Sequence, residues 1–242
     1  MTLKEGNLKL MNEDQRKQVI MQWDKHQHDD FEVDYDVSGE KDLLEGFLIK
    51  KGVWNPLIAS GRYHARYLFY HTSLFADKTV IEIGCGTGLM GIVMSRYGAK
   101  KVIMSDISKI AIENASENIK KYGLEKNASA IESDLFASIK EKADMITWMI
   151  PFFAGYPPER DTISASMIMP PQLFEKFLSE ARNYLNDGGV VVLPSFSLGG
   201  DLTNPELVAR KFGYTVETTW KHKSINNLQK GLIYMHELRL EK

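Results

Sequence analysis

Residues Val80-Ile81-Glu82-Ile83-Gly84-Cys85-Gly86-Thr87-Gly88 set three alternating glycines behind a short apolar run that carries one acid, Glu82. Glycine adopts backbone angles closed to other residues and lets a ligand lie against bare main chain. If Leu89 opens a helix, the unpaired amides of its first turn aim at the same place. Two more carboxylates end apolar runs, Asp106 in Ile103-Met104-Ser105-Asp106-Ile107 and Asp134 in Ala130-Ile131-Glu132-Ser133-Asp134-Leu135. Each also precedes a helical stretch, where N-capping is the alternative use of the side chain. Gly86-Thr87-Gly88-Leu89-Met90-Gly91 matches G-x-G-x-x-G, with Asp106 about twenty residues further on, as a nicotinamide dinucleotide site requires. Cys85 reads as a small loop residue, not as a nucleophile.

The elements that must position these groups alternate. Strands are expected at Thr79–Ile83, Lys101–Ser105, Ala128–Glu132, Met145–Ile150 and Gly189–Leu193, with helices at Leu89–Tyr97, Lys109–Tyr122, Phe136–Lys142 and Pro171–Leu185. Apolar strands separated by helices imply βαβ units and a doubly wound, mostly parallel α/β sheet covered on both faces. Asn186-Asp187-Gly188-Gly189 supplies a glycine stop after the last helix. The chain then breaks the pattern: residues 213–224 and 231–240 are strands with no helix between them, joined by Ile225-Asn226-Asn227-Leu228-Gln229, which predicts an antiparallel C-terminal hairpin. Before the alternation, Ser60 is the expected N-cap of an amphipathic helix. Two strand-like stretches lie within 31–56, and residues 1–30 read as one helix or a loose arm with apolar positions Val19, Ile20 and Trp23. This divides the chain into an N-terminal extension, 1–56, to serve as a lid or as a substrate-recognition arm, and a ligand-binding domain, 57–242.

Glu82 through Gly88 closely resembles the first motif of the Rossmann-like, class I S-adenosylmethionine-dependent methyltransferases. That resemblance extends over roughly residues 53–240 and implies a seven-stranded sheet ending in an antiparallel hairpin. S-adenosylmethionine carries a sulfonium and an ammonium and no pyrophosphate, so an acid at the strand end favours it where a phosphate would be repelled. The resemblance implies that Glu82, Gly84, Cys85, Gly86, Gly88 and Leu89 meet the methionine end and ribose. It further implies that the Asp106 carboxylate accepts the ribose hydroxyls, that Asp134 and Leu135 grip the adenine, and that Ile107 and Met149 belong to the same cofactor site.

The flanks of Asp144–Asp161 resemble the release-factor glutamine methyltransferases and the related ribosomal-RNA guanine enzymes, and Gly52-Val53-Trp54-Asn55-Pro56 resembles their cofactor-closing segment. Those families carry Asn or Asp, two prolines and an aromatic where this chain has Ile150-Pro151-Phe152-Phe153. Ile150 cannot hydrogen-bond an acceptor amide. Pro151 and Phe152 remain candidates at the acceptor, Phe152 by stacking or by holding a cation, with a purely packing role as the alternative. Methyl transfer needs a base only if the acceptor must first lose a proton. Tyr35 is the candidate carried forward, beside His64, Asp34 and Glu159. His26 and His28 lack partners at metal-ligand spacing, so no metal is expected and both read as solvated.

Composition bounds the rest. At 242 residues and 43% hydrophobic the chain can bury a real core, and a net charge of −2 provides no global basic footprint for nucleic acid. Lys50-Lys51, Lys100-Lys101 and Lys120-Lys121 read as solvated faces. One cysteine excludes an intrachain disulfide, and the absence of a signal peptide or a long apolar run points to a cytoplasmic protein without membrane partners. The expected activity is methyl transfer from S-adenosylmethionine to a nitrogen of a protein or RNA, with a small-molecule acceptor as runner-up. A nicotinamide-dependent oxidoreductase and a non-catalytic binder of S-adenosylmethionine stand outside that class. The sequence leaves the oligomeric state open.

Overall fold

The computed structural model describes residues 5–58, 60–159, 161–224 and 231–241. Asn12 opens α1 (Glu13–Lys25) with a capping box: its side chain accepts the Gln15 N–H at 3.0 Å, and the Gln15 side chain accepts the Asn12 N–H at 2.9 Å. The buried face of α1 carries Gln15, Gln18, Val19 and Gln22, while Ile20 is 49% exposed. β1 (Phe31–Asp36) and β2 (Leu43–Ile49) pair antiparallel, and α2 (Gly61–Tyr70) follows.

The alternation then runs β3 (Thr79–Ile83), α3 (Leu89–Arg96), β4 (Lys101–Asp106), α4 (Lys109–Lys121), β5 (Ala128–Glu132) and β6 (Ala143–Trp148). Short elements intervene, β7 (Phe153–Ala154), α5 (Thr162–Ala165) and β8 (Ile168–Met169), before α6 (Pro171–Tyr184) and β9 (Leu185–Phe196). The chain ends with α7 (Pro205–Val208), β10 (Tyr214–Ser224) and β11 (Gly231–Leu240). One seven-stranded sheet has the order β10-β11-β9-β6-β3-β4-β5. β9, β6, β3, β4 and β5 are parallel, and β11 enters antiparallel between β9 and β10. The hairpin expectation therefore holds, while the connecting residues 225–229 lie outside the described residues.

Both faces of the central strands are buried. Phe174, Phe177 and Leu178 of α6 pack on one face, and Leu68, Ile92, Val93 and Ile119 from α2, α3 and α4 pack on the other. The N-terminal strands dock on this body through α4, where Asn118 Oδ1 accepts from Leu48 N at 3.0 Å and Asn114 Oδ1 accepts from Lys50 N at 2.8 Å. β4 lies on one side of β3 and β6 on the other, which opens a crevice beyond the carboxyl end of β3. No helix among the described residues is long and apolar enough to cross a membrane.

Four local expectations are corrected. Residues 136–142 form turns, not a helix, because Ser133 Oγ accepts the Ser138 N–H and donates to Leu135 O, so that side chain replaces the helical bonds. β6 ends at Trp148, paired with Ile83, because β3 itself turns away at Gly84; Met149 and Ile150 leave the sheet. Ser60 makes no side-chain cap and already has helical angles. Gly188, at φ +74°, lies inside β9 at a register shift, since Leu185 is extended directly after α6.

Candidate active site

The glycines are bare for different reasons. Gly84 sits at φ +60°, and a Cβ there would come within 2.8 Å of Trp148 Nε1. Gly88 packs against Ala115 of α4, whose Cβ would lie 3.1 Å away. Gly86, at φ +53°, faces open space, with only Val53 within 4 Å of the Cβ position. It therefore presents bare main chain to a ligand, while its neighbours shape the turn.

Gly86 N–H donates to Asp106 Oδ2 at 2.9 Å, and Ser108 N–H donates to Asp106 Oδ1 at 2.9 Å. Burial raises the Asp106 carboxyl above its ordinary value, opposed by these bonds. Beneath the loop, Glu82 Oε2 accepts from Gly91 N at 2.8 Å, and Oε1 has no partner among the described residues. Burial pushes Glu82 up to about 8, with nearby Asp106 adding to the shift. With Glu82 protonated near neutral pH, Asp106 is the carboxylate left at the loop, and no lysine or arginine among the described residues lines the cavity to neutralise a pyrophosphate. The donor set thus disfavours the dinucleotide reading.

One cavity of about 260 Å³ runs from this loop to the end of β6. Of the residues expected at the cofactor, Gly84, Cys85, Gly86, Asp106, Ile107, Asp134, Leu135 and Met149 line it. Leu135 holds φ +50°, a strained angle for a branched residue, and this fixes the turn beside Asp134. Asp134 itself pairs with Lys176 at 3.4 Å. Glu82, Gly88 and Leu89 are buried behind the wall and do not line the cavity. Burial raises the Cys85 thiol well above its ordinary value, which suits a loop residue and not a nucleophile.

Ile150, Pro151 and Phe152 line the other end of the same cavity. Tyr35 does not: its hydroxyl donates to Arg62 O at 3.1 Å, and burial pushes it up to about 12. The other proposed bases are also elsewhere. His64 is buried against Thr147 at 3.1 Å with its pKa lowered to about 3 by burial. Asp34 Oδ1 accepts from Gly46 N at 2.7 Å, and Glu159 is exposed. His26 corrects its expectation: far from solvated, it stacks on Trp54 with ring centroids 3.5 Å apart.

Sequence reasoning missed Gln22, Trp148 and Thr162 in the wall. The signal for Gln22 was present, since Gln15, Gln18 and Gln22 flank Val19 at helical spacing. Trp23 Nε1 donates to Asp161 Oδ2 at 3.0 Å, and Gln15 Nε2 donates to Leu198 O at 2.7 Å. These bonds seat α1, whose Gln22 lines the cavity, against the segments that carry Asp161 and Leu198.

The sequence profile described as "Methyltransferase small domain" matches residues 65–221. A candidate protein N5-glutamine methyltransferase of Methanocaldococcus jannaschii is 35% identical over 130 residues, 52% of this chain and 65% of the relative. The release factor glutamine methyltransferase of Borreliella burgdorferi is 30% identical over 130 residues, 49% of this chain and 44% of that relative. The chain thus spans less than two thirds of the length of either relative. In fold it is similar to T. thermophilus 16S rRNA N2 G1207 methyltransferase in complex with AdoMet and guanosine, with a TM-score of 0.63 at 16% identity over 88% of this chain and 51% of that one.

Proposed function

The chain belongs to the methyltransferase small domain family, and from that membership we propose that it transfers a methyl group from S-adenosylmethionine to a nitrogen of a protein or RNA acceptor. The observation that carries this reading is the single cavity that joins Gly86 and Asp106 to Pro151 and Phe152. The names of the relatives support a macromolecular acceptor, since one is a release factor glutamine methyltransferase and another a ribosomal protein L11 methyltransferase of Thermoanaerobacter pseudethanolicus. The region 1–56 serves in this reading as the acceptor-recognition arm.

When bound, S-adenosylmethionine supplies an electrophilic methyl on a sulfonium. The chain does the positioning. Asp106, held by the Gly86 and Ser108 amides, accepts ribose hydroxyls, and Leu135 and Ile107 cover the adenine. Trp148 and Phe152 exclude water from the path between donor and acceptor. The titratable side chains that line the cavity, Cys85, Asp106 and Asp134, belong to the cofactor end. The acceptor nitrogen therefore arrives uncharged and sheds its proton to solvent, and the rate derives from alignment.

Calorimetric titration with S-adenosylhomocysteine and, separately, with NADH tests the cofactor, using wild type and Asp106→Ala. Micromolar binding of the homocysteine nucleoside, lost in the variant, supports the reading. Binding of NADH alone overturns it. Transfer of tritiated methyl to ribosomes, extract protein or small amines then separates macromolecular from small acceptors.

A further inference from the structure

Glu82 is 1% exposed, and its carboxyl has one hydrogen bond among the described residues, from Gly91 N to Oε2, while Oε1 has none. Helix α3 is bare where it makes that bond: a Cβ on Gly91 would lie 2.7 Å from Glu82 Oε2 and 2.3 Å from Met104 Cε. The groups that face the acid bring no positive charge. In register on either side of it stand Met104 of β4 and Thr147 of β6. Thr147 is bonded to His64 of α2, whose ring is held neutral by burial, and the loop adds Cys85, held as the thiol. Asp106, at the end of β4, is the nearby charge, and it is negative. A carboxylate with a single hydrogen bond is costly in such surroundings, so Glu82 holds a proton in the free protein.

Ile83 and Gly84, which directly follow Glu82, line the cavity. S-adenosylmethionine carries two positive charges, the ammonium and the sulfonium, S-adenosylhomocysteine carries one, and adenosine carries none. Resting on the methyltransferase reading above, we propose that Glu82 distinguishes the methyl donor from the spent product by charge, ionising when the donor fills the cavity and taking its proton back once the methyl has gone. A cation close to a buried acid favours its carboxylate. The proton that Glu82 gives up passes to solvent, so donor affinity rises with pH over the range in which the free protein keeps Glu82 protonated. Loss of the sulfonium charge returns Glu82 to its neutral state, which weakens the hold on the product without any movement of the chain. The other two acids at the cavity do not serve this purpose. Asp134 is already paired with Lys176 at 3.4 Å. Asp106 is held by the Gly86 and Ser108 amides and meets the ribose that all three ligands share.

The test counts protons. The full chain is titrated calorimetrically at pH 7 with S-adenosylmethionine, S-adenosylhomocysteine and adenosine, each in phosphate and in Tris, whose ionisation enthalpies differ. The wild type is expected to release roughly half a proton or more on binding the donor, less on binding the product and none on binding adenosine. Glu82→Gln, which still accepts from Gly91 N, is expected to abolish the release and to narrow the preference for donor over product by about threefold or more. Equal release with donor and adenosine overturns the assignment, and so does equal release from the wild type and Glu82→Gln. The first of these comparisons uses the wild type alone and so does not depend on the variant folding. Failure of all three ligands to bind the wild type instead removes the cofactor reading beneath the proposal, so the two failures are distinguishable.

Discussion

The backbone N–H of Gly86 and the carboxylate of Asp106 are joined at 2.9 Å, so the ligand-facing loop and the end of β4 are positioned by each other before anything binds. Asp106→Asn keeps the side-chain shape and can keep one of the two backbone bonds. It is expected to weaken S-adenosylhomocysteine about 10–100-fold, the range for losing a charged hydrogen-bond acceptor. Asp106→Ala should add a drop in melting temperature that the Asn variant largely avoids. Calorimetry and thermal unfolding measured side by side check both statements.

Stability should peak near neutral pH. Burial lowers His26 and His236 to about 4 and His64 to about 3, all below the 6.5 of free imidazole. The unfolded chain binds those protons more readily, so stability falls as pH drops from 6.5 through the lowered values. Glu82 acts in the opposite sense, raised from 4.5 to about 8, so the folded state loses stability as pH rises between these values. Below pH 6.5 the three histidines outweigh the one acid, and above it Glu82 dominates. Urea unfolding from pH 5 to 8.5 is expected to give a dome whose alkaline limb slopes by up to about 1.4 kcal/mol per pH unit. Glu82→Gln should flatten that limb; an unchanged limb would refute the role assigned to Glu82.

Two glycine substitutions separate backbone strain from collision. Gly123 holds φ +65° with nothing near its Cβ position, whereas Gly84 at φ +60° also has Trp148 Nε1 at 2.8 Å. Gly123→Ala is expected to cost about 1–2 kcal/mol, the strain of a left-handed residue alone. Gly84→Ala carries an added overpacking cost of about 1–3 kcal/mol and displaces Trp148 into the cavity. Chemical denaturation of both variants tests the difference, and S-adenosylhomocysteine binding should be lost only in Gly84→Ala.

The seating of α1 depends on the ring pair His26 and Trp54. Trp54→Ala is expected to speed amide hydrogen exchange across Glu13–Lys25 while leaving the central strands β3 and β4 protected. Uniform acceleration throughout the protein would instead mean that α1 opens only with the whole fold.

The parallel core was legible because its signals are short-range and redundant: buried runs such as Val80–Ile83 and Val102–Met104 fit few other roles. The glycine loop was legible by type, although its division of labour was not, since the atoms that crowd Gly84 and Gly88 come from Trp148 and Ala115, distant in sequence. Phe136 and Ile139 are three apart and both buried, which imitates a helix; the competing bonds of Ser133 are invisible to periodicity. Tyr35 failed as a candidate base because chemistry type says nothing of direction, and its hydroxyl points to the Arg62 carbonyl. The lysine pairs are mostly exposed, as solvated faces are, and Lys50, Lys51, Lys101 and Lys121 each also meet an acid, Glu117, Asp29, Glu141 and Glu32. Those partners lie on other elements.

The placement of β11 between β9 and β10 has a consequence for synthesis on the ribosome. β10 emerges first but has no neighbour to join, because its partner in the sheet is the strand made after it. Until β11 arrives, the long edge of β9 stands open with its ladder unfilled, the geometry most prone to pairing with another chain. The closing strand joins both edges in one event, so the nascent protein is most vulnerable to aggregation just before its last strand is delivered.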